Sequence, residues 1–203
     1  MIAIIDYGVG NLFSLQSSFK AIGAEAVVTK DKTVIENADK LILPGVGAFE
    51  DAAGKLRESG LGDVLKNEVQ KGKTVMGICL GMQLLFDKSY EFGVHEGLGL
   101  IPGNIVPFAD KIDKSFQIPQ IGWNELKIYD GSTIFKNINN GDFVYFVHSY
   151  YAECDKKYVL ATSDYGMEFT AAVGRDNVFG CQFHPEKSGE VGLNILRGFC
   201  QMK

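Results

Sequence analysis

The 203-residue chain has no cysteine pair in CxxC spacing and no histidine pair in HxxxH spacing, which counts against a structural zinc site. No apolar run approaches the ~20 residues needed to span a bilayer. Runs of lysine and arginine are missing, and the formal net charge is −5. Neither a nucleic-acid nor a membrane partner is therefore expected. The opening, MIAIIDYGVGN, lacks a basic flank and reaches Asp6 after four apolar residues, so it reads as a strand and not as a signal peptide. Four cysteines, at 79, 154, 181 and 200, are even in number and invite disulfides. A chain long enough to build its own core, with no export signal, points instead to reduced thiols in the cytoplasm. There is no repeat, low-complexity stretch or linker. With 46% hydrophobic and 22% charged residues, one folded domain over 1–203 is expected.

What is present alternates. IAIID is a strand pattern; Leu12, Leu15, Phe19 and Ile22 then recur at helical spacing. AVVT and KLILPG follow, then helical stretches around 49–58 and 61–71, then the nearly all-apolar KTVMGI, as for a strand buried on both faces. Strands separated by helices predict an α/β fold, a mostly parallel sheet with helices on both sides. The second half is richer in strands: GLGLI, NIVPF, IGWNELKIY, DFVYFVHSYYAE, YVLATS, FTAAVG and NVFGCQF. A closing helix follows, with Ser188 as its cap and Val191, Ile195 and Phe199 on one face.

Cys79, in GICLGMQ, sits between a strand and a helix with Gly77 and Gly81 beside it. This is the thiol counterpart of the G-x-S-x-G turn, which lifts a nucleophile out of a sharp bend. The helix N-terminus favours the thiolate and leaves the Leu80 N–H free for an oxyanion. The alternative is an inert core cysteine. A nucleophile needs a base. His95 lies in a polar, glycine-rich loop and is expected to face solvent; His148 ends a strand and reads equally as structural or catalytic. His184 opens H-P-E. Pro185 biases it to extended backbone, where His184 and Glu186 share a side and the carboxylate can orient the ring. LILPGVG places Pro44, Gly45, Val46 and Gly47 at another strand's carboxyl end, a second source of oxyanion donors. DYGVGNL imitates a dinucleotide loop, but Phe13 stands where a third glycine belongs and only Asp31 offers a weak ribose ligand. A turn, or a contact surface carried by Asn11, suits it better.

Together PGVG, GICLGMQ and FHPE resemble the triad-type glutamine amidotransferases. DYGVGN, QIGWNEL, YFVHSYYA and HPEKSG narrow the likeness, over essentially the whole chain, to the family of glutaminase subunits of imidazole glycerol phosphate synthase. The resemblance implies a flavodoxin-like fold, no cofactor and no metal, and a Cys79–His184–Glu186 triad releasing ammonia from glutamine. It implies an oxyanion hole from Val46 and Leu80, and a glutamine site from Gly47, Gln83, Glu91, His148, Ser149 and Tyr150. It also implies a heterodimer with a (β/α)8-barrel cyclase subunit that receives ammonia through a channel, yielding imidazole glycerol phosphate and AICAR. Such a barrel needs ~250 residues of its own. Asn11, Trp123, Asn124 and Lys187 match interface positions, though Trp123 reads nearly as well as a core residue. The nearest alternatives are the glutaminase of another synthase, for instance one amidating a nucleotide sugar, and a stand-alone cysteine hydrolase.

Overall fold

All four residues of the first strand, β1 (Ile2–Ile5), are apolar and buried. Because neighbouring side chains point to opposite faces, both faces of its sheet must be covered. In the computed structural model, which describes residues 1–129, 131 and 133–202, helices do this on each side. The first half runs β1, α1 (Leu12–Ala21), β2 (Ala26–Thr29), α2 (Lys32–Asn37), β3 (Lys40–Leu43), α3 (Phe49–Glu58), α4 (Leu61–Gln70), β4 (Thr74–Ile78) and α5 (Leu80–Leu84). The second half runs β5 (Phe86–Ser89), β6 (His95–Glu96), β7 (Ile101–Pro107), β8 (Gln120–Glu125), β9 (Lys127–Ile128), β10 (Phe143–His148), β11 (Tyr150–Glu153), β12 (Val159–Asp164), β13 (Glu168–Arg175), β14 (Val178–Cys181) and α6 (Gly189–Cys200). Ile2 and Ile4 share one core with Leu15 and Phe19 of α1 and Ile195 and Phe199 of α6. Ala3 and Ile5 share the other with Ile35 of α2, Phe49 and Leu56 of α3 and Leu65 of α4.

The centre of the sheet is parallel, in the order β2-β1-β3-β4-β14, which is the flavodoxin-like arrangement. Beyond β14 the pairing turns antiparallel through β13, β11 and β7; β5 and β6 close that edge, while β12 pairs with β13 and carries β9. A separate antiparallel ribbon pairs β8 with β10, from Phe143 opposite Glu125 to His148 opposite Gln120.

Several expected strands are cut differently. DFVYFVHSYYAE is two strands, not one: β10 belongs to the ribbon, β11 to the main sheet, and the chain crosses between them at Ser149. IGWNELKIY breaks at Leu126 for the same reason. GLGLI and NIVPF give a single strand, β7, because the first four residues, 97–100, stay irregular. β5 and α2 carry weak patterns: FDKS has two exposed polar residues at its centre, and α2 has only 6 residues. Asp31, weighed above as a ribose ligand, instead caps α2 by accepting from Thr33 N–H at 2.8 Å. Among the described residues no helix is long and apolar enough to cross a membrane.

Candidate active site

β4 is buried along its whole length and ends at Ile78, and α5 begins at Leu80. Cys79 makes the turn alone, with φ 55° and ψ −114°, a conformation that side-chain-bearing residues rarely adopt and that costs about 1–3 kcal/mol. The flanking glycines permit close packing. A Cβ on Gly77 would lie 2.5 Å from Gly81 O, one on Gly81 would lie 1.9 Å from Leu43 O, and one on Gly45 would lie 2.7 Å from Gly81 N. The turn is thus pressed onto the end of β3, which brings the Gly45–Val46–Gly47 loop beside Leu80. The DYGVGN loop packs behind it: the Tyr7 hydroxyl donates to Pro44 O at 2.7 Å, and a Cβ on Gly10 would lie 3.0 Å from Pro44.

β14 runs parallel to β4 with Gly180 opposite Gly77 and Cys181 opposite Ile78. The residues after β14 therefore emerge at the same edge as Cys79, whose N–H donates to Cys181 O at 2.8 Å. His184 is extended (φ −102°, ψ 99°), but Pro185–Lys187 then form a single 3-10 turn, so Glu186 does not continue an extended chain as expected. Proline suits the first position of such a turn and the residue before it stays extended. The two side chains still meet: His184 Nδ1–H donates to Glu186 Oε1 at 2.9 Å, both almost wholly buried. His184 Nε2 is buried without a hydrogen bond among the described residues. Burial alone would push His184 down; the nearby Cys79 sulfur and the Glu186 carboxylate outweigh it and hold the imidazole up at about 10.

Cys79 and His184 line one cavity of about 260 Å³, with Val46, Gly47 and Leu80 on one side. Gln83, Glu91, Pro119 and residues 147–150 complete it; Glu186 stands behind His184, outside the cavity. Glu91 Oε2 also accepts from Phe49 N–H at 2.5 Å, capping α3 and tying the wall of the cavity to the helix that follows the glycine loop. Gln83 donates both amide hydrogens internally, to Tyr150 O at 3.1 Å and Gln182 Oε1 at 3.0 Å. A larger hollow of about 550 Å³ lies over the antiparallel strands, between Tyr151, Cys154 and Phe169. No histidine is among the described residues that line it, and burial pushes the Cys154 thiol up to about 11, so the smaller cavity is the better candidate for chemistry.

His148 is structural and also lines the cavity. Its Nδ1–H donates to Tyr150 O at 2.8 Å, and the ring sits among Phe108, Phe146 and Phe169. Burial, with His184 nearby, pushes it down from 6.5 to about 4, while the Tyr150 bond opposes this only partly. A depressed histidine contributes stability above its unfolded value and loses it as pH falls through the folded one. Urea melts should therefore weaken from pH 6.5 to below pH 4, by about 3 kcal/mol in total, and His148→Asn should flatten that slope. An unchanged slope in the variant would refute the assignment. His95, expected to face solvent, lies in β6 with Nε2 buried and Nδ1 3.8 Å from Glu50 Oε1.

Of the residues matched to an interface, Trp123 is 52% exposed, so the core reading of it is wrong. It packs edge-on against Tyr145 (5.8 Å), and Lys187 Nζ lies 5.5 Å from the same ring. Asn11 precedes α1 without capping it through its side chain. Asn124 is turned inward, bonding Gln120 Nε2 (2.8 Å) and Asp164 O (3.0 Å). Sequence reasoning missed the role of Ser188. It stands at the start of α6 but does not cap it; its hydroxyl accepts from Tyr145 N–H at 3.0 Å and donates to His184 O at 2.7 Å. It missed Gln182 as well, whose signal was a polar residue inside an apolar buried strand end.

The model of the family "Glutamine amidotransferase class-I" matches residues 3–201 of this chain. An imidazole glycerol phosphate synthase subunit HisH of Caldanaerobacter subterraneus subsp. tengcongensis is 50% identical over 203 residues, covering 100% of this chain and 98% of the relative. One from Bacillus cereus strain ATCC 14579 is 51% identical over 199 residues, covering 98% and 93% respectively. Among solved structures, one titled as a glutamine amidotransferase superposes with a TM-score of 0.76 at 19% identity over 98% of both chains, a likeness of fold.

Proposed function

The chain belongs to the class-I glutamine amidotransferase family and, within it, to the glutaminase subunits of imidazole glycerol phosphate synthase, and from that premise we propose how its cavity performs the reaction. The observation that carries the reading is the buried His184–Glu186 pair behind a cavity that Cys79 and His184 line together, with the Val46–Gly47 loop and the first residue of α5, Leu80, beside them.

Glutamine enters with its carboxamide over Cys79. The thiolate attacks the carboxamide carbon, and the Val46 and Leu80 N–H groups receive the oxyanion. The imidazolium of His184 gives its Nε2 proton to the departing nitrogen as the C–N bond breaks, leaving ammonia and a γ-glutamyl thioester. Neutral His184 then takes a proton from water, whose oxygen attacks the thioester; the C–S bond breaks and glutamate leaves. Glu186 holds the ring so that Nε2 faces the sulfur. Glu91 is the charge that suits the substrate's α-ammonium. Gln83, with both amide hydrogens committed, meets the substrate through its oxygen, and Gly47 with the backbone of His148, Ser149 and Tyr150 lines the remainder.

Free ammonia is largely protonated in neutral water and no longer nucleophilic, so it must pass directly to its acceptor. A (β/α)8-barrel cyclase chain docked over Trp123, Lys187, Asn11 and the Asn124 segment would receive it through a channel and use it in histidine biosynthesis. The exposed Trp123 and the Tyr145 and Lys187 packed around it suit an interface. A cytoplasmic setting goes with four free thiols. The test is ammonia release from glutamine, measured for the chain alone and with the barrel subunit and its ribonucleotide ligand. Slow turnover alone, rising on addition, is expected. Equal rates would overturn the coupling, and no release under either condition would overturn the reaction.

A further inference from the structure

Gln182 lies between β14 and His184, is fully buried and projects no group into the cavity. Its Nε2 lies 3.8 Å from Cys79 Sγ. We propose that Gln182 is the donor that holds the Cys79 sulfur, and that Gln83 fixes the direction of that bond from the substrate side. The proposal deepens the glutaminase reading and rests on it for its catalytic meaning.

The polarity of the chain of bonds follows from one backbone atom. A side-chain amide can in principle be turned either way, but Tyr150 O is a carbonyl and can only accept. Gln83 must therefore present Nε2 to it, at 3.1 Å. The same Nε2 reaches Gln182, so Gln182 must present its oxygen there, at 3.0 Å. That leaves Gln182 with its Nε2 towards Cys79, and the sulfur receives a hydrogen rather than a lone pair. Turning Gln182 over would put two donors face to face at one end and an oxygen against the sulfur at the other. In a buried site such an arrangement is strongly disfavoured. The sulfur's other polar neighbour is Val147 O, at 4.0 Å, which can stabilise only the protonated thiol. Gln182 is thus the neutral side chain that favours the charged sulfur.

The titratable groups around the sulfur come from three places: His184 after β14, Cys181 on β14 and Tyr7 after β1. Tyr7 and Cys181 direct their hydrogens elsewhere, to Pro44 O and Phe183 O, and His184 Nε2 makes no hydrogen bond among the described residues. The relay also gives Gln83 a reason to be buried beyond contact with a substrate, since it joins the Tyr150 backbone to the nucleophile.

The test is the rate of Cys79 alkylation by iodoacetamide against pH, followed by mass on the peptide carrying Cys79, together with a thermal melt. Gln182→Met keeps the volume and removes the donor. It should react on the order of tenfold more slowly at neutral pH, with the midpoint of the profile about one unit higher. Its kcat for glutamine should fall comparably with little change in KM. Gln182→Glu keeps the acceptor for Gln83 and replaces the donor with an anion, so its midpoint should move further in the same direction. It also reads out the bond if the methionine variant does not fold. Profiles of the folded variants that superimpose on the unmodified protein's would overturn the proposal, even if melting temperatures fall. That failure is separate from failure of the glutaminase reading, which would show as no ammonia release by the unmodified protein.

Discussion

Cys79→Ala is expected to abolish glutamine hydrolysis, lowering kcat by about 10⁶-fold, in an ammonia-release assay with the barrel partner present. The size of the loss reflects the absence of a second thiol: the other cysteines, Cys154, Cys181 and Cys200, line no part of the cavity that holds His184. His184→Ala should lose about as much, because the same imidazole serves as acid in the first half-reaction and base in the second. Glu186→Ala should lose less, since it orients the ring without touching substrate. Backbone strain separates function from folding at this position. Cys79 has φ 55° and ψ −114°, which alanine tolerates no better and glycine tolerates well. Cys79→Gly should therefore be equally inactive yet more stable than Cys79→Ala, by about 1–2 kcal/mol in urea melts. Retained turnover in either variant would exclude the thioester route.

Gly81→Ala is expected to unfold or badly weaken the protein, by more than about 3 kcal/mol. Its new methyl would sit 1.9 Å from Leu43 O and 2.8 Å from Leu43 C, backbone atoms that cannot rotate aside as a side chain would. Relief requires separating α5 from the end of β3, and that movement also pulls the Gly45–Val46–Gly47 loop from Leu80. Any protein that does fold should show depressed kcat as well as reduced stability. Gly54, inside α3, is the contrasting case. Nothing lies within 4 Å of its added Cβ, so Gly54→Ala should stabilise by about 0.5–1 kcal/mol. If the two substitutions proved equally mild under thermal melting, the packing account of the turn would be wrong.

The parts of this site that were legible from the chain were those written within a few consecutive residues. Glycine, cysteine and glycine at 77, 79 and 81 declare a strand-to-helix turn, and His184, Pro185 and Glu186 declare a paired acid and imidazole. Parallel pairing of β4 with β14 was only implicit, in the likeness of their apolar runs. What local patterns did not carry was decided by distant partners. Whether DFVYFVHSYYAE is one strand or two depends on what lies beside it, and alternation looks alike in either sheet. Ser188 has the residue type and position of a helix cap, but the Tyr145 and His184 backbones offer its hydroxyl better-placed partners. Asn124 matched an interface position, yet its amide serves Gln120 and Asp164. Trp123 could be weighed only as core or surface until the ribbon that displays it was seen.

That ribbon reaches further than its short length suggests. Tyr145 O receives the His184 N–H at 2.9 Å, and Ser188 bridges Tyr145 N to His184 O. The backbone of the proton carrier therefore hangs from a lever outside the main sheet, and the lever's free side carries Trp123. A chain that grips this side and shifts it by even 1 Å would retune proton delivery, since misplacements of that size alter rates by about 10²-fold. A partner seated on Trp123 and the imidazole it would influence would share one piece of backbone.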